Sequence, residues 1–326
     1  MKHDSAASDQ GQGHDVVLCE CFARDGLQHE PDFLPTDRKI ALIDAFTRAG
    51  FPRIEATSYS HPAHVPAFRD AGAVLAGIRR KAGVGYKATC PNLKSVERAL
   101  QDLNAGHGAT ELSLLVSATE SHTERNLRTT RAAQWRNIEA MAEAARGKFR
   151  LVGVISMAFG CPFEGAVDPA VVAHDAARFA DQGVALVTLG DTIGTATPRS
   201  VRTLFDAVQA QAPGITPVAH FHDTRGTGIA NCLAALDAGC THFDSAMGGV
   251  GGHPTQIRYG GGFTGNVATE DLVNILEELG VRTGIDLAAL RDASRACETA
   301  LGRELRAMVA RSGYGLANMG VGDVDG

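Results

Sequence analysis

Several features that would place this chain at a membrane or on nucleic acid are missing from its sequence. No stretch approaches ~20 uninterrupted apolar residues, the length that a membrane-spanning helix needs. Residues 1–15 are polar, unlike a secretory signal. The formal net charge is −6, so no basic excess is available to neutralise phosphates. We therefore expect neither a membrane nor a nucleic acid as a partner of this protein.

The chain also lacks paired cysteine motifs. Its 7 cysteines are an odd number scattered along the sequence, and none forms a Cys-x-x-Cys pair. This pattern predicts reduced thiols in a cytoplasmic protein rather than a disulfide framework, and it excludes a zinc module built on cysteine pairs. Cys19 and Cys21 are predicted core residues, whereas Cys161 is expected at the end of a strand.

What is present is the material for one large α/β domain. The chain has 326 residues, of which 44% are hydrophobic and 21% charged, a composition that excludes gross disorder. This length fits one barrel of about 250 residues with a modest appendage. Residues 1–14 are predicted to form a disordered tail, followed by a single domain over residues 15–326.

Short apolar runs alternate with alanine-rich segments whose apolar residues recur at three- and four-residue spacing. The predicted strands are 16–22, 53–58, 83–90, 111–117, 150–158, 185–191, 216–223 and 242–249. The predicted helices are 38–49, 92–104, 131–146, 169–182, 198–211 and 229–238. Eight strands separated mostly by helices predict a parallel (β/α)₈ TIM barrel, with residues 268–326 as a C-terminal helical extension. An open, doubly wound sheet is the alternative.

Polar and ionisable residues fall at almost every predicted strand end. In TIM barrels the working residues lie at the carboxyl ends of the strands and in the loops that follow them. The residues at these positions include Arg24, Asp25, Gln28, Glu55, Thr57, Asn92, Asp191, His220 and His222. We therefore predict the functional site at this end of the barrel.

His220 and His222 are two residues apart on a predicted strand, so both imidazoles point to the same face. With Phe221 directed outward, both histidines face the mouth of the barrel. Together with the Asp25 carboxylate from a nearby strand end, they predict a divalent-metal site. The mixed nitrogen and oxygen set suits Mg²⁺, Mn²⁺ or Co²⁺ better than structural zinc. The alternative is a buried histidine pair that is hydrogen-bonded to neighbouring backbone.

Arg24 directly precedes Asp25 and could turn toward the metal. A fixed guanidinium in a water-poor site stabilises a developing oxyanion, whereas the alternative is a salt bridge of little energetic weight. Glu55, Asp191 and Glu270 are predicted to support catalysis directly or through a neighbour. The alternative for these three is a structural role, capping helices or holding Arg24.

Seven segments that follow one another along the chain form a specific combination of motifs. They are Ala-Arg-Asp-Gly-Leu-Gln (23–28), Ile-Glu-Ala-Thr-Ser (54–58), Pro-Asn-Leu-Lys (91–94), Gly-Cys-Pro-Phe-Glu-Gly (160–165), Leu-Gly-Asp-Thr-Ile-Gly (189–194), His-Phe-His-Asp-Thr-Arg-Gly (220–226) and Gly-Asn-Val-Ala-Thr-Glu-Asp-Leu-Val (265–273). Together they resemble the 3-hydroxy-3-methylglutaryl-CoA lyase family, over about residues 16–279. Within the metal-dependent lyase and Claisen-condensing barrels, they favour the lyase branch.

The resemblance implies a ligand set, a reaction and a substrate class. Asp25, His220, His222 and Asn266 would hold a divalent cation, usually Mg²⁺ or Mn²⁺, and Arg24 would steady the enolate of the leaving acetyl-CoA. Glu55, Asp191, Glu270 and Asp271 match positions that support catalysis or orient ligands. Gln28, Thr57, Asn92 and Arg258 are the candidate substrate-binding residues. The partner is an acyl-CoA, and homodimers are common in the family.

One departure from the family pattern concerns the loop after the eighth strand. The family places a catalytic cysteine there in Gly-Gly-Cys-Pro, whereas this chain has His253 in Gly-Gly-His-Pro. Imidazole can transfer a proton near neutral pH, so catalysis can survive, whereas redox control through a thiol at this position cannot. The segment that follows is also longer than usual, which bears on substrate choice.

The expected function is therefore a metal-dependent carbon–carbon lyase. Its default substrate is 3-hydroxy-3-methylglutaryl-CoA, cleaved to acetyl-CoA and acetoacetate. The nearest alternative applies the same retro-Claisen chemistry to another acyl-CoA, such as citramalyl-CoA. A Claisen-condensing acyltransferase is a second alternative, although the C-terminal region is short for a regulatory domain. The remaining alternative is a metal-binding barrel without catalytic activity.

Overall fold

The computed structural model describes residues 13–252 and 265–314. Eight parallel strands form a closed barrel in which each strand pairs with its neighbours in chain order and the last pairs with the first. The strands are β1 (Val17–Glu20), β2 (Arg53–Ser58), β3 (Gly85–Cys90), β4 (Glu111–Ser117), β5 (Arg150–Ser156), β6 (Leu186–Asp191), β7 (Thr216–Phe221) and β8 (His242–Ser245). The predicted TIM barrel is confirmed, and the open sheet is excluded.

Helices surround the barrel on its outer side. They are α1 (Thr36–Ala49), α2 (Ala71–Gly77), α3 (Leu93–Asn104), α4 (Glu120–Leu127), α5 (Arg131–Ala145), α6 (Pro169–Asp181), α7 (Pro198–Gln211), α8 (Gly228–Asp237), α9 (Thr269–Glu278), α10 (Leu287–Leu301) and α11 (Val309–Ser312). Within the described ranges, no helix is long and apolar enough to span a membrane. All seven cysteines are buried and free.

Local signals explain where several helices begin and end. The side chain of Asp168 accepts a hydrogen bond from Ala170 N at 2.9 Å, and Pro169 occupies the first turn of α6, where a missing N–H costs nothing. Gly50 ends α1 with φ of 97°, a conformation that a side chain would strain.

The first and last strands are shorter than the sequence pattern suggests. The predicted strand 16–22 ends at Glu20, and the predicted strand 242–249 ends at Ser245, followed by a 3-10 helix at Met247–Gly249. The Glu20 carboxylate accepts hydrogen bonds from Phe22 N at 2.9 Å and from Met247 N at 3.0 Å. These hydrogen bonds draw the segments after β1 and β8 away from strand pairing, and they join the two loops that follow these strands.

The apolar core lies mainly between the strands and the helices. Inside the barrel, Val152, Leu186 and Val218 form a small separate apolar cluster. Polar residues also occupy the interior: Arg53 and Glu111 form an ion pair of 2.8 Å with both side chains almost fully buried. After β8, α9 packs on the 3-10 helix Met247–Gly249 and α10 packs on α1. Most of the predicted tail and residues 315–326 of the predicted extension lie outside the described ranges.

Candidate active site

The loop after β1 carries two charged residues to the mouth of the barrel. Arg24 and Asp25 both line a cavity of about 910 Å³ at the carboxyl ends of the strands. Asp25 is directly followed by the 3-10 helix Gly26–His29. Gly26 has no room for a side chain, because an added Cβ would lie 2.7 Å from Val250 Cγ2. This close approach places the start of the loop against the chain that follows β8.

The two predicted histidine ligands lie beside Asp25. His220 is on β7 and His222 is just beyond its end. Their Nε2 atoms are 3.3 Å apart, and His222 Nε2 is 3.6 Å from Asp25 Oδ2. One ligand atom from each of the three residues lies within 4.8 Å of the others, a spacing that can hold one metal ion. Both imidazoles therefore contact side chains, those of Asp25, Asp244 and each other.

Asn266 completes this group from the segment before α9. Its Nδ2 atom donates to Asp25 Oδ2 at 2.7 Å and to Val250 O at 2.9 Å. Its Oδ1 atom is buried and has no hydrogen-bond partner among the described residues, and the same is true of His222 Nδ1. A buried amide oxygen without a partner is costly, and oxygen is a ligand that Mg²⁺ and Mn²⁺ prefer. The donor set of these residues therefore fits a hard divalent cation.

A carboxylate stands behind one of the histidines. Asp244 Oδ2, on β8, is 3.4 Å from His220 Nδ1, the nitrogen turned away from His222. Metal-ligating histidines usually contact a carboxylate or carbonyl in this way, which fixes the ring orientation. Burial alone would raise the pKa of Asp244, but the charge of Lys87 and the contact with His220 hold that pKa well below its ordinary value.

Arg24 is held in place by three neighbours. Its Nη1 atom contacts Asp25 Oδ1 at 2.6 Å, and its Nε atom donates to Thr89 Oγ1 at 3.0 Å and lies 3.2 Å from Glu55 Oε1. Thr89 Oγ1 in turn donates to Glu55 Oε1 at 2.7 Å. Within the described residues, Nη2 makes no hydrogen bond, so the guanidinium can donate into the cavity. Glu55 therefore holds Arg24, as one of the sequence interpretations proposed.

Two further acids lie outside the cavity wall. The oxygens of Asp191 accept hydrogen bonds from Thr195 N at 2.8 Å and Ala196 N at 3.0 Å in the loop after β6. Glu270 accepts from Gly248 N at 2.8 Å and from the Ser294 hydroxyl at 2.5 Å. Both carboxylates tie loops to the barrel end, the structural role among the alternatives considered.

The substrate-binding candidates are divided by the structure. Gln28 and Asn92 line the cavity, whereas Thr57 is buried and does not. Asn92 also caps α3 by accepting from Ser95 N at 3.1 Å, which occupies its side-chain oxygen. His253 and Arg258 lie outside the described residues.

The sequence interpretation missed Lys87 and Asp244. Both line the cavity, and both belong to strand positions that face the barrel interior. Lys87 is two residues before Thr89 on β3, and Asp244 lies in the middle of β8. The alternation of side chains along each strand could have indicated them, but a lysine in an apolar run does not reveal its partners.

Comparison with known proteins gives one consistent result. The HMGL-like family profile matches residues 15–297. The chain is 39% identical over 298 residues to "Hydroxymethylglutaryl-CoA lyase, mitochondrial" of Rattus norvegicus, covering 91% of this chain and 89% of that protein. It is 38% identical over 298 residues to the "3-hydroxy-3-isohexenylglutaryl-CoA/hydroxy-methylglutaryl-CoA lyase" of Pseudomonas aeruginosa, covering 91% and 96%.

A solved structure shows the same similarity in three dimensions. The HMG-CoA lyase of Acinetobacter baumannii, in complex with coenzyme A and 3-methylmalate, superposes with a TM-score of 0.85. The two chains are 38% identical, and the match covers 92% of this chain and 96% of that one. The fold and the order of elements therefore agree over nearly the whole chain.

Proposed function

This chain belongs to the HMGL-like family, and we propose that its barrel mouth cleaves 3-hydroxy-3-methylglutaryl-CoA to acetyl-CoA and acetoacetate. The similarity to hydroxymethylglutaryl-CoA lyases over most of the chain makes it a carbon–carbon lyase. The observation that carries the proposal is geometric. Three convergent ligand atoms, from Asp25, His220 and His222, lie in the same cavity as a guanidinium that is fixed by Glu55 and Thr89.

The family depends on a divalent cation, and we propose Mg²⁺ or Mn²⁺ for this member. Asp25, His220, His222 and Asn266 are the residues that would hold it, supported by the partnerless Oδ1 of Asn266. When bound, such a cation polarises the tertiary hydroxyl of the substrate and lowers its pKa. The protein itself keeps the two imidazoles at a fixed spacing and orients one of them through Asp244.

Arg24 supplies the charge that the second half of the reaction requires. Cleavage of the carbon–carbon bond leaves the electron pair on the acetyl-CoA fragment as a thioester enolate. A guanidinium held by Asp25 and Glu55 needs little reorganisation to donate to that oxygen. His253 is the proposed proton-transfer group, because an imidazole titrates near neutral pH. The contact of Glu55 with Arg24 supports a positioning role for Glu55, whereas the hydrogen bonds of Asp191 and Glu270 support an indirect role, in which they hold neighbouring segments in place.

We propose the substrate-binding residues from their positions relative to the cavity. Gln28 and Asn92 line the cavity, which supports contact with the thioester, and Arg258 is proposed to meet a carboxylate. Thr57 is proposed to act only through its neighbours, because its side chain is buried away from the cavity. We further propose a cytoplasmic homodimer whose residues 15–326 act as one unit. The seven free cysteines support a reducing compartment.

A second candidate keeps the chemistry and changes the acyl group, as with citramalyl-CoA. The relative from Pseudomonas aeruginosa is named for two acyl groups of different size, which supports considering acyl groups other than hydroxymethylglutaryl. Condensation in the transferase direction is a weaker alternative, since the named relatives above are lyases.

A coupled assay of acetyl-CoA release tests the proposal. Metal-stripped protein is incubated with Mg²⁺ or Mn²⁺ and with 3-hydroxy-3-methylglutaryl-CoA, citramalyl-CoA or a longer branched 3-hydroxyglutaryl-CoA. We expect release from 3-hydroxy-3-methylglutaryl-CoA that stops when a chelator is added. Release from citramalyl-CoA alone would replace the default substrate by the second candidate, and no release from any thioester would contradict both.

A further inference from the structure

Seven side chains form a closed ring around the base of the cavity. The successive atom pairs are Asp25 Oδ1–Arg24 Nη1 (2.6 Å), Arg24 Nε–Glu55 Oε1 (3.2 Å), Glu55 Oε2–Lys87 Nζ (3.7 Å), Lys87 Nζ–Asp244 Oδ2 (3.5 Å), Asp244 Oδ2–His220 Nδ1 (3.4 Å), His220 Nε2–His222 Nε2 (3.3 Å) and His222 Nε2–Asp25 Oδ2 (3.6 Å). Negative and positive groups alternate from Asp25 to Asp244. The ring joins the candidate metal ligands to Arg24 by two routes, one direct and one through Lys87.

Lys87 and Asp244 are the two members of the ring farthest from Asp25, each three contacts away. The side chain of Lys87 is 2% exposed and lies between two carboxylates that are also buried, those of Glu55 and Asp244. Both contacts exceed the usual hydrogen-bond range of about 2.7–3.2 Å. The ammonium group is therefore held between the carboxylates mainly by charge rather than by one fixed bond.

The environment keeps this lysine in its charged form. Burial alone would lower the pKa of Lys87, but attraction by Asp244 and Glu55, with the nearby Cys19, raises that pKa well above its ordinary value. Without the ammonium group, two buried carboxylates would face each other with no cation between them. Glu55 would then be repelled by Asp244 and would keep Arg24 as its cationic partner, so its carboxylate would shift from the position that it holds between the two cations.

We infer that Lys87 is a positioning residue, which holds Glu55 in place and thereby aims the guanidinium of Arg24 at the reacting thioester. The inference rests on the proposed lyase activity for its functional meaning. Whether the Arg24–Glu55 contact depends on Lys87 can be tested without measuring turnover.

The central variant is Lys87→Met, which keeps the length of the side chain and removes the charge. Lys87→Arg restores a cation, and Lys87→Gln is a second uncharged variant in case the methionine variant does not fold. Lys39→Met is the matched control, because Lys39 is equally buried and pairs with Asp70 at 2.8 Å outside the ring. Folding of every variant is checked by its Tm.

We expect Lys87→Met to lower kcat by about 10- to 100-fold, the range seen when a group that orients an active-site side chain is lost. KM should stay within about threefold of wild type, because the proposed thioester contacts, Gln28 and Asn92, line the cavity but are not members of the ring. Lys87→Arg should recover part of kcat. Lys87→Ala gives an independent readout: ethylammonium should restore activity, whereas propanol, of similar size but uncharged, should not. A kcat for Lys87→Met no lower than that of Lys39→Met would overturn the inference.

Crystal structures of wild type, Lys87→Met and Lys87→Arg separate this inference from the proposed function. Loss of the Arg24 Nε–Glu55 Oε1 contact in the methionine variant, with its return in the arginine variant, would support the positioning role. An unchanged contact in Lys87→Met would overturn it, whatever the activity. If wild-type protein cleaves none of the thioesters, the proposed function fails, while the Arg24–Glu55 distance still decides the role of Lys87.

Discussion

The Nδ2 group of Asn266 donates a hydrogen bond to Asp25 Oδ2 at 2.7 Å, and its Oδ1 atom is buried without a hydrogen-bond partner in the described part of the chain. The donated bond fixes which way the amide faces. An unsatisfied buried oxygen costs about 1–3 kcal/mol, a cost that a bound cation would remove. The relationship between these two residues therefore supports the assignment of Asn266 as a ligand from geometry as well as from sequence similarity.

Replacing Asn266 by alanine should weaken Mn²⁺ binding by at least about tenfold, because one oxygen ligand is removed. Asn266→Asp should retain binding, since it keeps an oxygen and adds a charge. Titration calorimetry of metal-stripped protein measures both affinities. Asn126→Ala, at another residue that lines the same cavity, is the control and should leave the affinity unchanged. Equal affinities for Asn266→Ala and wild type would contradict the assignment.

Asp244→Asn should also weaken Mn²⁺ binding, by about 10- to 100-fold, although Asp244 is not one of the proposed ligands. Its carboxylate contacts His220 Nδ1 at 3.4 Å and so orients the ring that presents Nε2 to the cation. Calorimetry gives the affinity, and the Tm without metal shows whether the fold is kept. Asp286→Asn, at the exposed N-cap of α10, makes the same chemical change outside the ring and is the control. A loss of stability with normal affinity would assign Asp244 a purely structural role.

Arg24→Lys should lower kcat by about 10²- to 10³-fold while Mn²⁺ affinity stays near that of wild type. Lysine keeps the charge but lacks the planar fork that contacts Asp25 and Glu55 together. Steady-state kinetics of acetyl-CoA release measures the loss. Arg125→Lys, on the cavity rim, provides the control. Full turnover by the Arg24→Lys variant would exclude a role for the guanidinium in holding the enolate.

Glu20 should make the stability of the protein fall as the pH rises. Burial raises the pKa of Glu20 from 4.5 to about 8, against the hydrogen bonds it accepts from Thr269, Met247 and Phe22. Between these two values the folded state binds more protons than the unfolded state, so the free energy of unfolding decreases with rising pH. The total effect is on the order of a few kcal/mol and is complete above about pH 8.

Urea unfolding of wild type and Glu20→Gln at pH 6 and pH 9 tests this dependence. The glutamine resembles the protonated acid, so we expect similar stability at pH 6 and a more stable variant at pH 9. Glu278→Gln, at an exposed position of α9, should follow wild type at both pH values. If the free energy of unfolding of Glu20→Gln falls between pH 6 and pH 9 by as much as that of wild type, another group is responsible for the pH dependence.

The sequence pattern predicted the barrel because hydrophobic periodicity is a local property. All eight strands were found within the predicted segments, from Val17–Glu20 to His242–Ser245. The two short helices Ala71–Gly77 and Glu120–Leu127 were missed. The ends of β1 and β8 were extended too far, because Glu20 joins the two segments through a hydrogen bond from Met247 N, a residue distant in sequence.

The candidate site was predicted in part. Asp25, His220 and His222 could be grouped from their places at strand ends, and Asn266 from family resemblance. Which acids touch Arg24 and which brace loops could not be read from the chain, because the sequence pattern placed both Glu55 and Asp191 near strand ends without showing their neighbours. Only the packed structure shows Glu55 beside the guanidinium and Asp191 bonded to the amides of its own loop.

The sequence by itself determined the eightfold alternation of strands and helices, the end of the barrel that carries polar side chains and the family of the chain. These properties depend on spacing along the backbone and on residue type. The closure of the barrel decided the rest, because it brings β2, β3 and β8 together and places Lys87 between Glu55 and Asp244. A buried charge takes its role from the partners that surround it, and those partners exist only after the chain has folded.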